Sequence, residues 1–125
     1  MIEDYFLQIE KMLREFPSIR SRVLTQKVYN HFQGYISGKI IFENGHSLEF
    51  AEVVDTEQTI KVKYRYQYMD AKQSLIFRYD NAPHHKEIKT FPHHRHVADK
   101  VTDSQEPDLR SILMEITQFQ PKKKK

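Results

Sequence analysis

Residues 59–68 read TIKVKYRYQY, and along that run apolar and polar side chains alternate at every step. Ile60, Val62, Tyr64, Tyr66 and Tyr68 fall on one side, and Lys61, Lys63, Arg65 and Gln67 on the other. A period of two belongs to a strand with one buried face, since a helix would scatter the same residues around its axis. Such a strand cannot stand alone, because its backbone donors and acceptors need neighbours. The chain offers four more. RVLTQKVYNHF (22–32) reads as a first strand, and GYISGKIIFE (34–43) sets Ile36, Ile40 and Phe42 on one face. SLEFAEVV (47–54) comes next, and SLIFRYD (74–80) follows the polar turn from Asp70 to Gln73. Asn44-Gly45 between two alternating runs is a strong hairpin signal. Five strands joined by short links predict an antiparallel meander.

A different period flanks the sheet. Ile2, Tyr5, Phe6, Ile9, Met12, Leu13 and Phe16 recur at three- and four-residue steps, which predicts a helix over 2–16 stopped by Pro17. Leu109, Ile112, Leu113 and Ile116 predict a second helix over 107–117, with Pro107 in its first turn. The expected class is α+β: an N-terminal helix, a five-stranded antiparallel meander sheet, a His-rich loop interrupted by Pro83 and Pro92, and a C-terminal helix. Nothing in the composition divides the chain, so residues 1–121 are expected to form a single domain and the lysines at 122–125 a basic tail. With no cysteine, disulfides, thiolate ligands and a thiol nucleophile are excluded. The start MIEDYFLQIEKML carries acids where a secretory signal is basic, and no apolar run reaches membrane length. A cytoplasmic protein with no membrane partner is expected.

The formal net charge of +3 hides an uneven distribution. Residues 61–100 carry nine Lys/Arg against four Asp/Glu, whereas 1–60 carry six against nine. The same basic segment holds FRYDNAPHHKEIKTFPHHRH (77–96), with five of the seven histidines. Focused positive charge favours an anionic ligand. In SLIFRYD, Arg78 and Asp80 share a face if Phe77 and Tyr79 turn to the core. In an extended chain only one of His84 and His85 can point into a given site, whereas His94 and His96 point the same way. Asn81-Ala82-Pro83 reads as a turn aiming His84 back toward the strand. Arg78, Asp80, His84, His94 and His96 are therefore the convergent set.

Three kinds of function fit these residue types. Imidazoles with a carboxylate can ligate zinc or another divalent ion, making a metal-dependent hydrolase or nuclease. No recognised ligand spacing is present, and Arg78 would repel the ion, so no metal and no cofactor are expected. Alternatively, the cations simply grip phosphate, as in a non-catalytic nucleic-acid-binding module. The third possibility is metal-free RNA cleavage. There the substrate's own 2′-hydroxyl attacks phosphorus, which needs a general base, a general acid and cations around the phosphorane. Histidine suits both proton roles and arginine the third. His84 or His94 is then the expected base, another of the three histidines the acid, Asp80 the group that orients an imidazole, and Arg78 the phosphate clamp. Tyrosines around YRYQY could stack on unpaired bases.

On YRYQY, LIFRYDNAPHH and TFPHHRH, supported by GYISGKIIFENGHSLEFAEVVD and EPDLRSILMEI, the chain resembles the TumE family of toxins from two-gene toxin–antitoxin modules. The family's pattern has lysine where this chain has Arg95, and a proline near Lys86 that this chain lacks. The resemblance implies a growth-arresting toxin, an endoribonuclease with RNA as substrate, and a cognate antitoxin carrying a helix-turn-helix DNA-binding domain. It places the catalytic set on Arg78, Asp80, His84, His94 and His96. Arg65, Tyr66, Tyr79, Asn81, His85 and Arg95 are the candidate substrate contacts around it. Whether the chain acts alone or as a homodimer is left open by the sequence.

Overall fold

The computed structural model of the protein describes residues 1–121; the basic tail expected at 122–125 lies outside the described residues. Helix α1 (Ile2–Arg14) leads into strands β1 (Ile19–Val28), β2 (Gln33–Phe42), β3 (Ser47–Asp55), β4 (Ile60–Met69) and β5 (Leu75–Asp80). Two short strands, β6 (His94–Val97) and β7 (Lys100–Asp103), and helix α2 (Leu109–Thr117) complete it. The strands form one antiparallel sheet in chain order, β1 through β7. The α+β class and the meander hold as expected. The sheet, however, has seven strands and not five. HRHV and KVTD are too short and too polar to show an apolar alternation, yet their backbones extend the ladder from β5. The expected His-rich loop is thus a strand from His94 onward.

Boundaries moved for local reasons. Helix α1 ends at Arg14, and Glu15 and Phe16 close its last turn onto Met12 and Leu13. Helix α2 starts at Leu109, not at Pro107, because Asp108 is its cap. The Asp108 carboxylate accepts from the Ser111 backbone N–H at 2.7 Å, and the Ser111 hydroxyl accepts from the Asp108 N–H at 3.2 Å. Strand β1 begins at Ile19 and stops at Val28. Tyr29 to Phe32 turn instead, with Asn30 Oδ1 accepting from the Phe32 and Gln33 amides. Between β2 and β3 the chain turns at Asn44-Gly45, where Gly45 sits at φ +85° and relieves the strain an L side chain would meet.

Both helices cover the same face of the sheet. Ile2, Phe6, Ile9 and Leu13 of α1 and Leu109, Ile112, Leu113 and Ile116 of α2 are buried with Ile36, Ile40, Phe42, Leu48, Phe50, Tyr64, Tyr66, Tyr68 and Phe77 of the strands. At Gly34 the helix comes so close that an added Cβ would lie 2.8 Å from Ile2 Cγ1. Beneath α1, the buried Glu52 accepts hydrogen bonds from the Tyr5 and Tyr66 hydroxyls. Burial, more than any other cause, pushes the Glu52 carboxyl above its ordinary range. Among the described residues the other face carries no helix, and it is the face to which β5 and β6 send His94, His96, Arg78 and Asp80. No helix among the described residues is long and apolar enough to cross a membrane.

Leu13 tests the core assignment. Leu13→Asp buries an unpaired charge and is expected to leave the chain insoluble or unfolded by circular dichroism. A soluble variant melting at the parent temperature would show that α1 does not seal the core.

Candidate active site

Register builds the site. Strands β4, β5 and β6 place Arg65 opposite Asp80, Asp80 opposite His94, and Arg78 opposite His96. Directly paired residues in an antiparallel ladder share a face, so these five side chains stand on the open face in two adjacent rows. Asp80 is the hub and is only 4% exposed. Its Oδ1 lies 2.8 Å from His94 Nε2 and accepts from the Ala82 backbone N–H at 3.0 Å. Its Oδ2 accepts from Arg78 Nε at 3.0 Å and lies 3.4 Å from His96 Nε2. These contacts match the roughly four lone-pair positions a carboxylate offers.

The three imidazoles differ in what they can reach. His94 is 2% exposed, and its Nδ1 lies 2.8 Å from the Pro92 carbonyl oxygen. That carbonyl and the Asp80 carboxylate both act as acceptors, so His94 uses both ring nitrogens inside the protein. His96 keeps 18% of its side chain exposed, with Nε2 3.4 Å from Arg78 Nη2. Burial first, and then the Arg78 guanidinium, hold His96 below the ordinary imidazole value of 6.5. His85, with 31% of its side chain exposed, closes the group, its ring centroid 4.9 Å from that of His94 and 5.7 Å from that of His96. Ring nitrogens of His85, His94 and His96 all lie within 4.8 Å of one another.

Four of the five residues expected to be catalytic come together here: Arg78, Asp80, His94 and His96. His84 does not. Its amide bonds to the Ala82 carbonyl in the tight turn, its side chain stays exposed, and His85 takes the inward place. Among the expected substrate contacts, Arg65 and His85 border the site. Asn81 closes the ladder beyond β5, accepting from the Tyr64 N–H at 3.0 Å and donating to the Val62 carbonyl at 3.2 Å. Tyr66 is fully buried under α1. Tyr79 and Arg95 lie on the helix-covered face, where both donate to Glu115 of α2, at 2.7 and 2.6 Å. Burial and that carboxylate push the Tyr79 hydroxyl up to about 12. The remaining histidine of the segment, His93, pairs through Nδ1 with the Tyr64 hydroxyl at 2.8 Å. Alternation carries the reason for Arg95: it lies between His94 and His96 and cannot share their face.

A family model described as Toxin TumE matches residues 9–120, which takes in every strand, the histidine cluster and α2. No curated protein and no solved structure gives a significant match.

Two measurements test this geometry. Asp80→Ala strips a buried His94 and the turn of their acceptor and is expected to cost about 3 kcal/mol; an unchanged urea midpoint would mean the carboxylate does not hold β5 to β6. In an NMR titration His96 should take up its proton below pH 6.5. Because the native value is the lower one, the unfolded chain binds that proton first. Stability attributable to His96 therefore falls as pH drops through 6.5 and is unaffected above it.

Proposed function

The chain belongs to the TumE toxin family, and on that premise we propose that it is an endoribonuclease that cuts RNA without a metal ion. As a member it is the toxin of a toxin–antitoxin system, with a cognate antitoxin as partner; a helix-turn-helix DNA-binding domain on that antitoxin is part of the proposal. The observation that carries the reading is the buried Asp80 carboxylate, which gathers Arg78, His94 and His96 on an open sheet face with His85 beside them.

Each group then has a role set by its surroundings. His96 is solvent-reachable and held towards its neutral form, so it accepts the proton of the attacking 2′-hydroxyl. His85, a neighbouring half-buried ring that still meets solvent, returns a proton to the 5′ leaving oxygen. Arg78 gives its Nε–H to Asp80 and keeps donors on Nη1 and Nη2 for the phosphorane oxygens. His94 touches no substrate; it is a positioning residue that fixes Asp80. The 2′-hydroxyl forms the new P–O bond and the 5′-oxygen leaves, so the products are a 2′,3′-cyclic phosphate and a 5′-hydroxyl.

A metal centre on His85, His94 and His96 is the second reading, favoured by their mutual closeness. Tetrahedral coordination at about 2.1 Å needs nitrogens roughly 3.4 Å apart, so these rings would have to close in. His94 would also have to release Asp80 or Pro92, and the Arg78 guanidinium lies within the same group. The metal-free reading requires none of these changes.

Activity on RNA is expected to survive excess chelator; loss on chelation with recovery on adding zinc would favour the metal centre. Separately, His96→Ala and His85→Ala should each lower kcat by about a hundred- to ten-thousandfold, whereas His84→Ala should leave it near the parent value. Arg78→Lys keeps the charge without the fork and should rescue only part of the loss seen in Arg78→Ala. RNA lacking the 2′-hydroxyl at the cut position should bind and stay whole. Were it cut at the ordinary rate, water would be the attacking group and these histidine roles would fall.

A further inference from the structure

The open face does not end at the histidines. Arg65, opposite Asp80, also borders a cleft of about 390 Å3 with Tyr29, Tyr35, Ala51, Val53 and Lys63. That volume lies in the range of small-ligand pockets. Its floor is apolar sheet surface, since Val53 stands opposite both Tyr35 and Lys63 in the ladder. Its walls are two phenol rings and two cations. Tyr29 is 50% exposed, and Lys27 Nζ stands 5.8 Å from its ring centroid. Glu52 also borders the cleft, but its carboxylate is held in the core by Tyr5 and Tyr66. From Asp80 on β5 to Tyr35 on β2 is three strand spacings, about 14 Å. A larger cleft of about 580 Å3 beside α1 is lined by Asp4, Asp55, Glu106 and Asp108, which suits no polyanion.

Aromatic faces flanked by cations are what unpaired bases on a phosphate backbone require: rings stack on the base and cations meet the phosphates. A duplex keeps its bases stacked on one another and cannot offer one to Tyr29 or Tyr35. We infer that this cleft seats an unpaired nucleobase beside the phosphodiester held at Arg78, so that the substrate is single-stranded RNA read across the β2–β4 face. The inference rests on the RNA-cleaving reading and adds to it a substrate class and four residues, Tyr29, Tyr35, Lys63 and Lys27, that take no part in the chemistry.

The test uses the full chain and a short fluorescein-labelled single-stranded RNA with 2′-O-methyl riboses, which 2′-hydroxyl attack cannot cut. Tyr29→Ala, Tyr35→Leu and Lys63→Gln are compared with the parent by fluorescence anisotropy, and with ordinary RNA for cleavage. Tyr29 is at the surface, so its replacement does not threaten folding; Tyr35→Leu keeps an apolar body against the sheet. Each tyrosine variant is expected to weaken binding about tenfold and to raise KM with kcat nearly kept, at an unchanged melting temperature. A blunt duplex of the same sequence should compete poorly. If both tyrosine variants bind and cut like the parent, or the duplex competes equally, the cleft has no such role, while the cleavage reading stands. If the parent binds the single strand through the tyrosines yet cuts no RNA, the cleft is upheld and the catalytic roles fall.

Discussion

One carboxylate organises the open face. Asp80 sits at the last position of β5, nearly sealed from water, and faces Arg78, His94, His96 and the Ala82 amide. Burying an ionised group is costly unless charge and hydrogen bonds are returned to it, so those partners have little freedom to leave. Holding His94 fixes the start of β6 against the end of β5. Holding the Ala82 amide fixes the turn that brings His85 inward. The same contacts that offset the desolvation of Asp80 set the spacing of the imidazoles, so strand pairing and site geometry have a common cause.

Burial of a carboxylate does not by itself mark a site, and Glu52 shows why. It is buried as deeply, on the opposite face, but its partners are the two phenols of Tyr5 and Tyr66. Burial raises its pKa, and it joins α1 to β3 and β4. Its hydrogen-bond partners are those buried hydroxyls, themselves pushed well above the ordinary phenol range, and the charges that act on it are those of Lys61 and Asp108. Asp80 differs in kind, because its partners include a cation and an imidazole, His96, that still meets solvent.

Much of this was readable from the sequence, and the failures follow from the period of the signal. In the ten-residue strand β4 the alternation holds for Tyr64, Tyr66 and Tyr68, which are buried as expected. A bulge opposite Val53 and Val54 shifts the register, so Ile60 and Val62, expected on the same buried face, are exposed and Lys61 turns to the helix side. Strands β6 and β7 have four residues each, and polar side chains lie on both faces of the first, so nothing distinguished them from loop. Alternation could say that only one of His84 and His85 points inward, but not which, because the answer lies in the turn at Ala82. The face of Arg95 was available from its place between His94 and His96; treating its charge as part of the basic segment obscured that. Tyr29, Tyr35 and Lys63 carry no local motif. They meet because the turn after β1 and strands β2 and β4 bring them to one patch.

The same division corrects the meaning of the basic segment. Of its nine cations, Arg95 is turned to the helix side and neutralised by Glu115, and Lys61 reaches over to the Pro107 carbonyl beside α2. Arg78 shares its charge with Asp80. On β4 the cations that remain on the open face are Arg65 and Lys63. Attraction falls steeply with distance and screening, so on the proposed RNA-cleaving reading the first phosphates would settle along β4, with the histidines to one side and the tyrosines to the other. Among the described residues both helices keep to the opposite face of the sheet, so under that proposal a small net charge could still direct a strongly charged ligand along an open path.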